Sequence, residues 1–469
     1  MSSAVIPGEP GLVARIANWA NSVPAEAITD TSLRQAKLLV LDTIGCGFAA
    51  VDEVLPRAVL DLVREEGGAP RCTLIGSWEK TSAANAVLAN GVLIRALDLN
   101  DYVDRDHPSD NIPVALTIGE MLNAPSRDML AAIVVGYELY GRMKHLIPMD
   151  SPWDGTTISG AVGAVMAGRL LGLDDARLGH AIALAMGRSA TSALARFGSI
   201  SSLKALANPS VAQSAVQAAL LAARGATGPL ALFESRRGMR GVFSRREAWD
   251  ALTAPFPQNS YVLQANIKPY PSLVTGQAAV AAALDLHRQL GDEAQHVASL
   301  RIVMADLPAV RIQQEDRGRW DPQTREAADH CFQFLVAVTL IDGAFGLAQY
   351  DNERWNDPQV RALMGRMELG VDACLNERAP TGAYPCALRA IDRDGREHIA
   401  EALAPPGFSR GGLREDDVIA KFHSLTADRM NAAEREAIVD AALRLDGAGD
   451  CDSFFSTLRA PFQQHGRSR

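Results

Sequence analysis

A chain of 469 residues is long enough for two domains, because a single hydrophobic core stops growing well short of that length. With 48% hydrophobic and 22% charged residues it is globular rather than disordered. Aromatics are only 6% while alanine, leucine and glycine abound, which favours packed helices over a β-sandwich, and a net charge of −9 with no basic segment speaks against nucleic acid as a partner.

The opening residues, MSSAVIPGEPGLVARIANWA, lack the basic start, apolar run and cleavage site of a secretory signal. From about Gly11 to Gln258 the pattern is helical. Asp30 and Thr31 are expected to cap SLRQAKLLVLDTIGCGFAA, where Leu33, Ala36, Leu39, Val40 and Thr43 fall at helical spacing. TSAANAVLANGVLIRAL and the segment around VALTIGEML are further helices joined by a polar loop. SGAVGAVMAGRLLGL ends near Gly172, and Asp174 opens DDARLGHAIALAMG. PSVAQSAVQAALLAARG is expected to begin at Pro209, a residue suited to a first helical turn, and to stop at Gly225. Gly160, Gly163, Ala164 and Gly168 allow close approach of backbones, which predicts a compact bundle. The longest apolar run, from Ile158, meets Arg169 after about three helical turns, so no membrane span is expected and the protein reads as cytoplasmic.

The character changes near Pro255 and Pro257. SLRIVM at 299–304 and CALRAI at 386–391 read as strands, and Asp392 to Gly395 as a hairpin turn. Between them CFQFLVAVTLIDGAFG reads as a helix. After Pro405, Pro406 and Gly407 the pattern is helical again: Asp416 and Asp417 precede a segment ending near Leu425, and AAEREAIVDAALRL follows. The prediction is a mostly α fold with an α+β lid: a helical domain from residues 1–259 and 405–469, and a lid from 260–404. The six cysteines (46, 72, 331, 374, 386 and 451) include no C-x-x-C pair and no zinc or iron–sulfur spacing, and are expected to be buried thiols.

Three segments carry more ionisable groups than packing requires. The first holds Asp98, Asp101, Tyr102, Asp104, Asp106, His107, Ser109 and Asp110 between two helices. A histidine among carboxylates can be oriented through one ring nitrogen and transfer a proton with the other. The same aspartates also suit a solvated loop that caps helices, or a hard-metal site. The second is SISSLKALANPSVAQSA, where Lys204 either snorkels to solvent or, if buried, requires an anionic partner. The third runs from Asn266 to Ser272, where two prolines stiffen the chain, aiming Lys268 and Tyr270 or forming a stiff interdomain linker. Downstream, Asp329 reads as a cap and His330 as a core or interface histidine before an apolar helix.

At these residues the sequence resembles the MmgE/PrpD family, which includes 2-methylcitrate dehydratase, cis-aconitate decarboxylase and iminodisuccinate epimerase. The resemblance runs in family order through LLVLDTIGCGFAA, ALDLNDYVDRDHPSDNIPVAL, AGRLLGLD, the Lys204 segment, ARGATGPLALFES, KPYPS with GQAAVAAAL, and TREAADHCFQFLVAVTLIDG. HPSDN and ADHC are its most specific parts. It implies an all-α domain built from both chain ends, an α+β lid, a cofactor-independent and metal-free active site in the cleft, and a homodimer. By position, Asp98, His107, Lys204 and Lys268 fall where the family has active-site residues and are expected to be catalytic; proton transfer next to a carboxylate then suits His107 as acid/base, oriented by Asp98 or Asp101, with the lysines as carboxylate anchors. Asp101, Tyr102, Tyr270, Ser272 and His330 are expected to bind substrate, Tyr102 at a place where the family often has threonine, and the substrate is expected to be a small polycarboxylate.

The sequence departs from the family in two places. Gly155 follows Trp153 and Asp154 where a histidine is common, and Leu273 and Thr275 stand near the position of a second. HPSDN, GQAAVAAAL and ADHC lean toward the dehydratase branch, with decarboxylation, epimerisation or ligand binding without turnover as alternatives.

Overall fold

The computed structural model describes residues 10–240, 243, 249–409, 411–447 and 451–463. Residues 1–9, the first half of the segment read as lacking a secretory signal, lie outside the described part.

Helices dominate up to residue 252, as the three- and four-residue spacing of apolar side chains requires. One hydrophobic core takes buried side chains from Leu12 to Ala265 and again from Leu413 to Leu458, so the last helices pack on the first. A second core runs from Leu273 to Ala400 and admits Tyr102 from the acidic loop. Its sheet has four strands in the order Met367–Asp372, Ser299–Ala305, Cys386–Ile391, Glu397–Ala402. The first pair is parallel, with Leu300 beside Met367; the other pairs are antiparallel, with Met304 beside Cys386 and Ile391 beside Glu397. The hairpin turns at Asp392, whose carbonyl accepts from Gly395 N at 3.1 Å, and Gly395 takes the φ of +80° that favours glycine. The helices Gln277–Leu290 and Phe332–Asp342 pack on one another in this second core. Among the described residues no single helix is long and apolar enough to cross a membrane.

Close helix approach depends on missing side chains. A Cβ added at Gly163 would lie 2.9 Å from that of Ala215, and one at Gly91 would lie 2.9 Å from Pro209. This second contact corrects the expected start of the lysine-bearing helix. It runs Leu203–Ala222, six residues ahead of Pro209, and carries the proline inside. Pro209 removes one backbone donor, but its ring fills the space Gly91 leaves, and the extra turn brings Lys204 into the helix.

Smaller expectations are corrected too. Thr29, not Asp30 or Thr31, caps the helix Asp30–Ala49, accepting from Ser32 N. Asp416 and Asp417 lie inside the first turn of Glu415–Thr426 rather than before it, where negative charge suits the helix dipole. The strand Met367–Asp372 was not expected, and Glu397–Ala402 was implied only as the far side of the hairpin; both are edge strands whose charged residues mask the alternation. Of the cysteines, Cys46, Cys72, Cys331, Cys386 and Cys451 are buried and Cys374 is exposed.

Candidate active site

The acidic loop leaves the helix Ala83–Arg95 through a turn at Asp98, which holds a left-handed φ of 48°. A β-carbon makes that conformation unfavourable by about 1–3 kcal/mol, so surrounding bonds must hold it. They are cationic. Lys268 Nζ donates to Asp98 Oδ1 at 2.6 Å and to its carbonyl at 2.9 Å, Arg95 Nη1 donates to Oδ1, and Lys204 Nζ lies 3.1 Å from Oδ2. Lys204 also donates to Asp329 Oδ2 at 2.6 Å. Asp98, Lys204, Lys268, Asp329 and Arg95 are all buried. Burial alone would raise the Asp98 carboxyl, but Arg95, Lys204 and Lys268 outweigh it and hold the group well below the usual carboxylate range. The same burial lowers Lys268 to about 8, against the pull of Asp98.

Two imidazoles flank this carboxylate. His107 Nδ1 donates to the Asp101 carbonyl at 2.6 Å, leaving Nε2 3.7 Å from Asp98 Oδ1. His330 Nδ1 donates to Asp329 Oδ1, leaving Nε2 3.8 Å from Asp98 Oδ2. A carbonyl only accepts, so the Nδ1 of His107 carries hydrogen and the neutral ring presents a lone pair at Nε2. Burial, then Arg95 and Lys268, push His107 well below the ordinary histidine value; burial, then Lys204, take His330 to about 3. Both rings are therefore neutral at neutral pH. The nearby carboxylate favours the charged ring of His107, but burial and Arg95 outweigh it.

A cavity of about 200 Å³ opens over these rings, walled by residues of both cores. Asp98, His107 and His330 line it with Asp106 and Asp110, together with Arg95, Arg105, Lys144, Arg196 and Arg319. Burial raises the carboxyls of Asp106 and Asp110. A Cβ at Gly155 would lie 3.5 Å from Asp106 Oδ1, so Asp106 borders the space a side chain at 155 would fill. Leu273 is part of the cavity wall, whereas Thr275 is buried and donates to Gln313 at 2.5 Å.

The other expected site residues divide. Lys204 does not snorkel; it and Lys268 stand behind Asp98, their ammonium groups engaged by protein carboxylates, and neither is among the residues that line the cavity. Asp101 works through its carbonyl, while its carboxylate accepts from Tyr137 OH at 2.8 Å and Ser109 N at 3.2 Å. Burial lifts Asp101 to about 7 against those two bonds. Tyr102, Tyr270 and Ser272 lie off the cavity wall. Tyr102 packs in the second core, Tyr270 lies edge-on to Phe345, and Ser272 Oγ accepts from Gln277 at 2.9 Å. Asp329 is not a cap: Cys331 caps the following helix, and the Asp329 carboxylate binds Lys204 and His330.

Sequence reasoning missed Arg95, Arg196 and Arg319. Arg95 carried a signal, because it stands three positions before Asp98 at a helix end; the other two did not. Asp98, Asp329 and His330 place ligand atoms within 4.8 Å of one another, a spacing compatible with a metal ion. All four oxygens of the two aspartates already accept from or face Arg95, Lys204, Lys268 or His330 nitrogens, so an added cation would have to displace a guanidinium, an ammonium or an imidazole N–H.

Comparison with known proteins follows the same two-part layout. The profile of the MmgE/PrpD N-terminal domain matches residues 14–252, and that of the MmgE/PrpD C-terminal domain matches 270–445. A 2-methylcitrate dehydratase of Cupriavidus necator is 26% identical, over 87% of this chain and 88% of its own. A cis-aconitate decarboxylase of Homo sapiens is 22% identical, over 92% of both. A 2-methylcitrate dehydratase of Salmonella typhimurium is 24% identical, over 87% of this chain and 89% of its own. On two profiles that together span most of its length, this chain belongs to the MmgE/PrpD family.

Proposed function

We propose that this chain is a lyase acting on a small di- or tricarboxylic acid, of the 2-methylcitrate dehydratase kind, with proton transfer carried by its own side chains. The observation that carries the reading is the pair of neutral imidazoles whose Nε2 atoms flank one ionised, cation-held carboxylate in a cavity. His107 Nε2 takes a proton from the carbon next to a substrate carboxylate. Negative charge then develops on that carboxylate, and the fixed cations of the wall stabilise it more in the transition state than in the ground state. The bond to the β-hydroxyl breaks, and the departing oxygen takes a proton from Asp106, whose carboxyl pKa burial raises. One C–H and one C–O bond are lost, and the products are an alkene and water.

Asp98 stays ionised as a fixed countercharge and holds Lys204, Lys268 and Arg95 in place. The lysines thus act through Asp98 rather than as direct anchors. Two imidazoles facing one point also suit removal and return of a proton at a single carbon, so epimerisation is the second reading. Incubation of purified protein with 2-methylcitrate, cis-aconitate and related acids, followed by double-bond absorbance and mass spectrometry, tests both. Loss of water supports the dehydratase; loss of carbon dioxide points to decarboxylation instead; deuterium uptake from solvent without loss of either supports the epimerase; binding with none of these overturns catalysis. The reading includes a cytoplasmic homodimer. Large apolar side chains exposed on the helical part, among them Val54 and Trp78, support a packed second copy, which light scattering tests against the 50.1 kDa of one chain.

A further inference from the structure

The two cores meet at a seam beside the cavity, and an arginine from each side stands there. Arg196 follows the short turn Ala193–Ala195 of the helical part, and Arg319 ends the turn Arg317–Arg319 of the second unit. Arg319 Nη2 donates to the Arg196 carbonyl at 2.5 Å, and Arg319 Nε to Asp316 at 3.2 Å. The Asp316 carboxylate also accepts from Gly198 N at 2.9 Å. The backbones touch: a Cβ on Gly318 would lie within 2.7 Å of Gly198. Arg196 Nε donates to Asp154 at 3.3 Å. Arg319 is left with Nη1, and Arg196 is hydrogen-bonded through Nε alone among the described residues. Nη1 of Arg196 and Nη1 of Arg319 are both buried with no hydrogen-bond partner among the described residues, although both side chains line the cavity. A buried charged donor left unmatched is costly, and protein structures rarely keep one without a use.

We propose that Arg196 and Arg319 form a clamp for a carboxylate of the substrate remote from the two imidazoles, one guanidinium from each side of the seam. This rests on the reading of the cavity as a polycarboxylate site and deepens it by naming what holds the carboxylate that does not react. The cations nearest His107 and His330 are already committed to Asp98 and Asp329, whereas these two guanidiniums hold donors in reserve. Guanidinium donors suit a planar carboxylate, and a ligand bridging both sides ties the seam together.

The test is calorimetric binding of tricarballylate, a saturated tricarboxylate that cannot be dehydrated, and of butyrate as a one-carboxylate control. Arg319→Lys keeps the charge and is the milder variant; Arg196→Met and Arg319→Met remove it. Unchanged thermal unfolding identifies the variants that remain folded. The clamp predicts roughly 10–100-fold weaker tricarballylate binding in the Met variants, a smaller loss in Arg319→Lys, and butyrate binding unchanged. Folded Met variants that bind tricarballylate as tightly as the parent overturn the clamp, and so does equal weakening for butyrate. Because binding is read without turnover, these outcomes are separate from the dehydratase reading. Parent protein that turns over a polycarboxylate while the Met variants keep full affinity refutes only the clamp. Parent protein that binds tricarballylate through Arg319 but turns over no acid refutes only the chemistry.

Discussion

Replacing His107 by Gln removes the base and little else. In the parent, Nδ1 donates to the Asp101 carbonyl and Nε2 faces the cavity, 3.7 Å from Asp98 Oδ1. A glutamine amide can still donate to that carbonyl, but it offers no nitrogen that accepts a proton at neutral pH. General acid–base catalysis contributes about 10²–10⁴-fold, or roughly 3–5 kcal/mol of barrier. His330 stands on the other side of Asp98 as a residual base, so the fall in kcat is expected toward the lower end, about 10²–10³-fold. The pH dependence makes the assignment sharper. Burial, Arg95 and Lys268 depress His107 well below the ordinary histidine value, so in the free enzyme it is deprotonated through neutrality. The acid limb of kcat/KM should therefore lie below the usual histidine range, and the limb of kcat should move upward because bound carboxylates favour the imidazolium. The assay is initial rate by double-bond absorbance across pH, with kcat and KM resolved. A kcat within a few-fold of the parent with a raised KM would refute the reasoning, as would an acid limb that His107→Gln leaves in place.

Asp98→Asn keeps the shape but removes the charge that Arg95, Lys204 and Lys268 share, and loss of one partner from a buried ion pair costs about 3–5 kcal/mol. Denaturant unfolding should show at least that loss, and a change under about 1 kcal/mol would mean that the network does not hold the loop. Asp101, raised to about 7 when folded, binds more protons in the native than in the unfolded state between the ordinary carboxylate value and pH 7. Its contribution to stability is thus lost as pH rises through that window, so the melting temperature of Asp101→Asn minus that of the parent should climb from about pH 4 to 7; a flat difference refutes it. Gly163→Val puts a branched side chain where even a Cβ lies 2.9 Å from Ala215, and thermal unfolding should show an overpacking loss of about 1–3 kcal/mol.

Much of this protein was legible in the order of its residues. Helical periodicity, the change of pattern after Pro255, and β-rich runs at 299–304 and 386–391 follow from local spacing and propensity, which act within a few residues. The acidic loop, Lys204, Lys268 and the Asp329–His330 pair were visible as ionisable groups in unusual places. Their partners were not. Lys204 meets Asp329 across 125 positions, and Lys268 meets Asp98 across 170, distances over which no local pattern reports. Whether a lysine snorkels or is buried against a carboxylate depends on what the fold places opposite it. The same holds for the tyrosines: the prolines at 269 and 271 stiffen the segment, but only packing sends Lys268 to Asp98 and Tyr270 to Phe345. Charge state was decided last of all. From sequence His107 showed only its carboxylate neighbours; in the fold it is buried beside Arg95 and Lys268, and desolvation with two nearby cations outweighs one carboxylate.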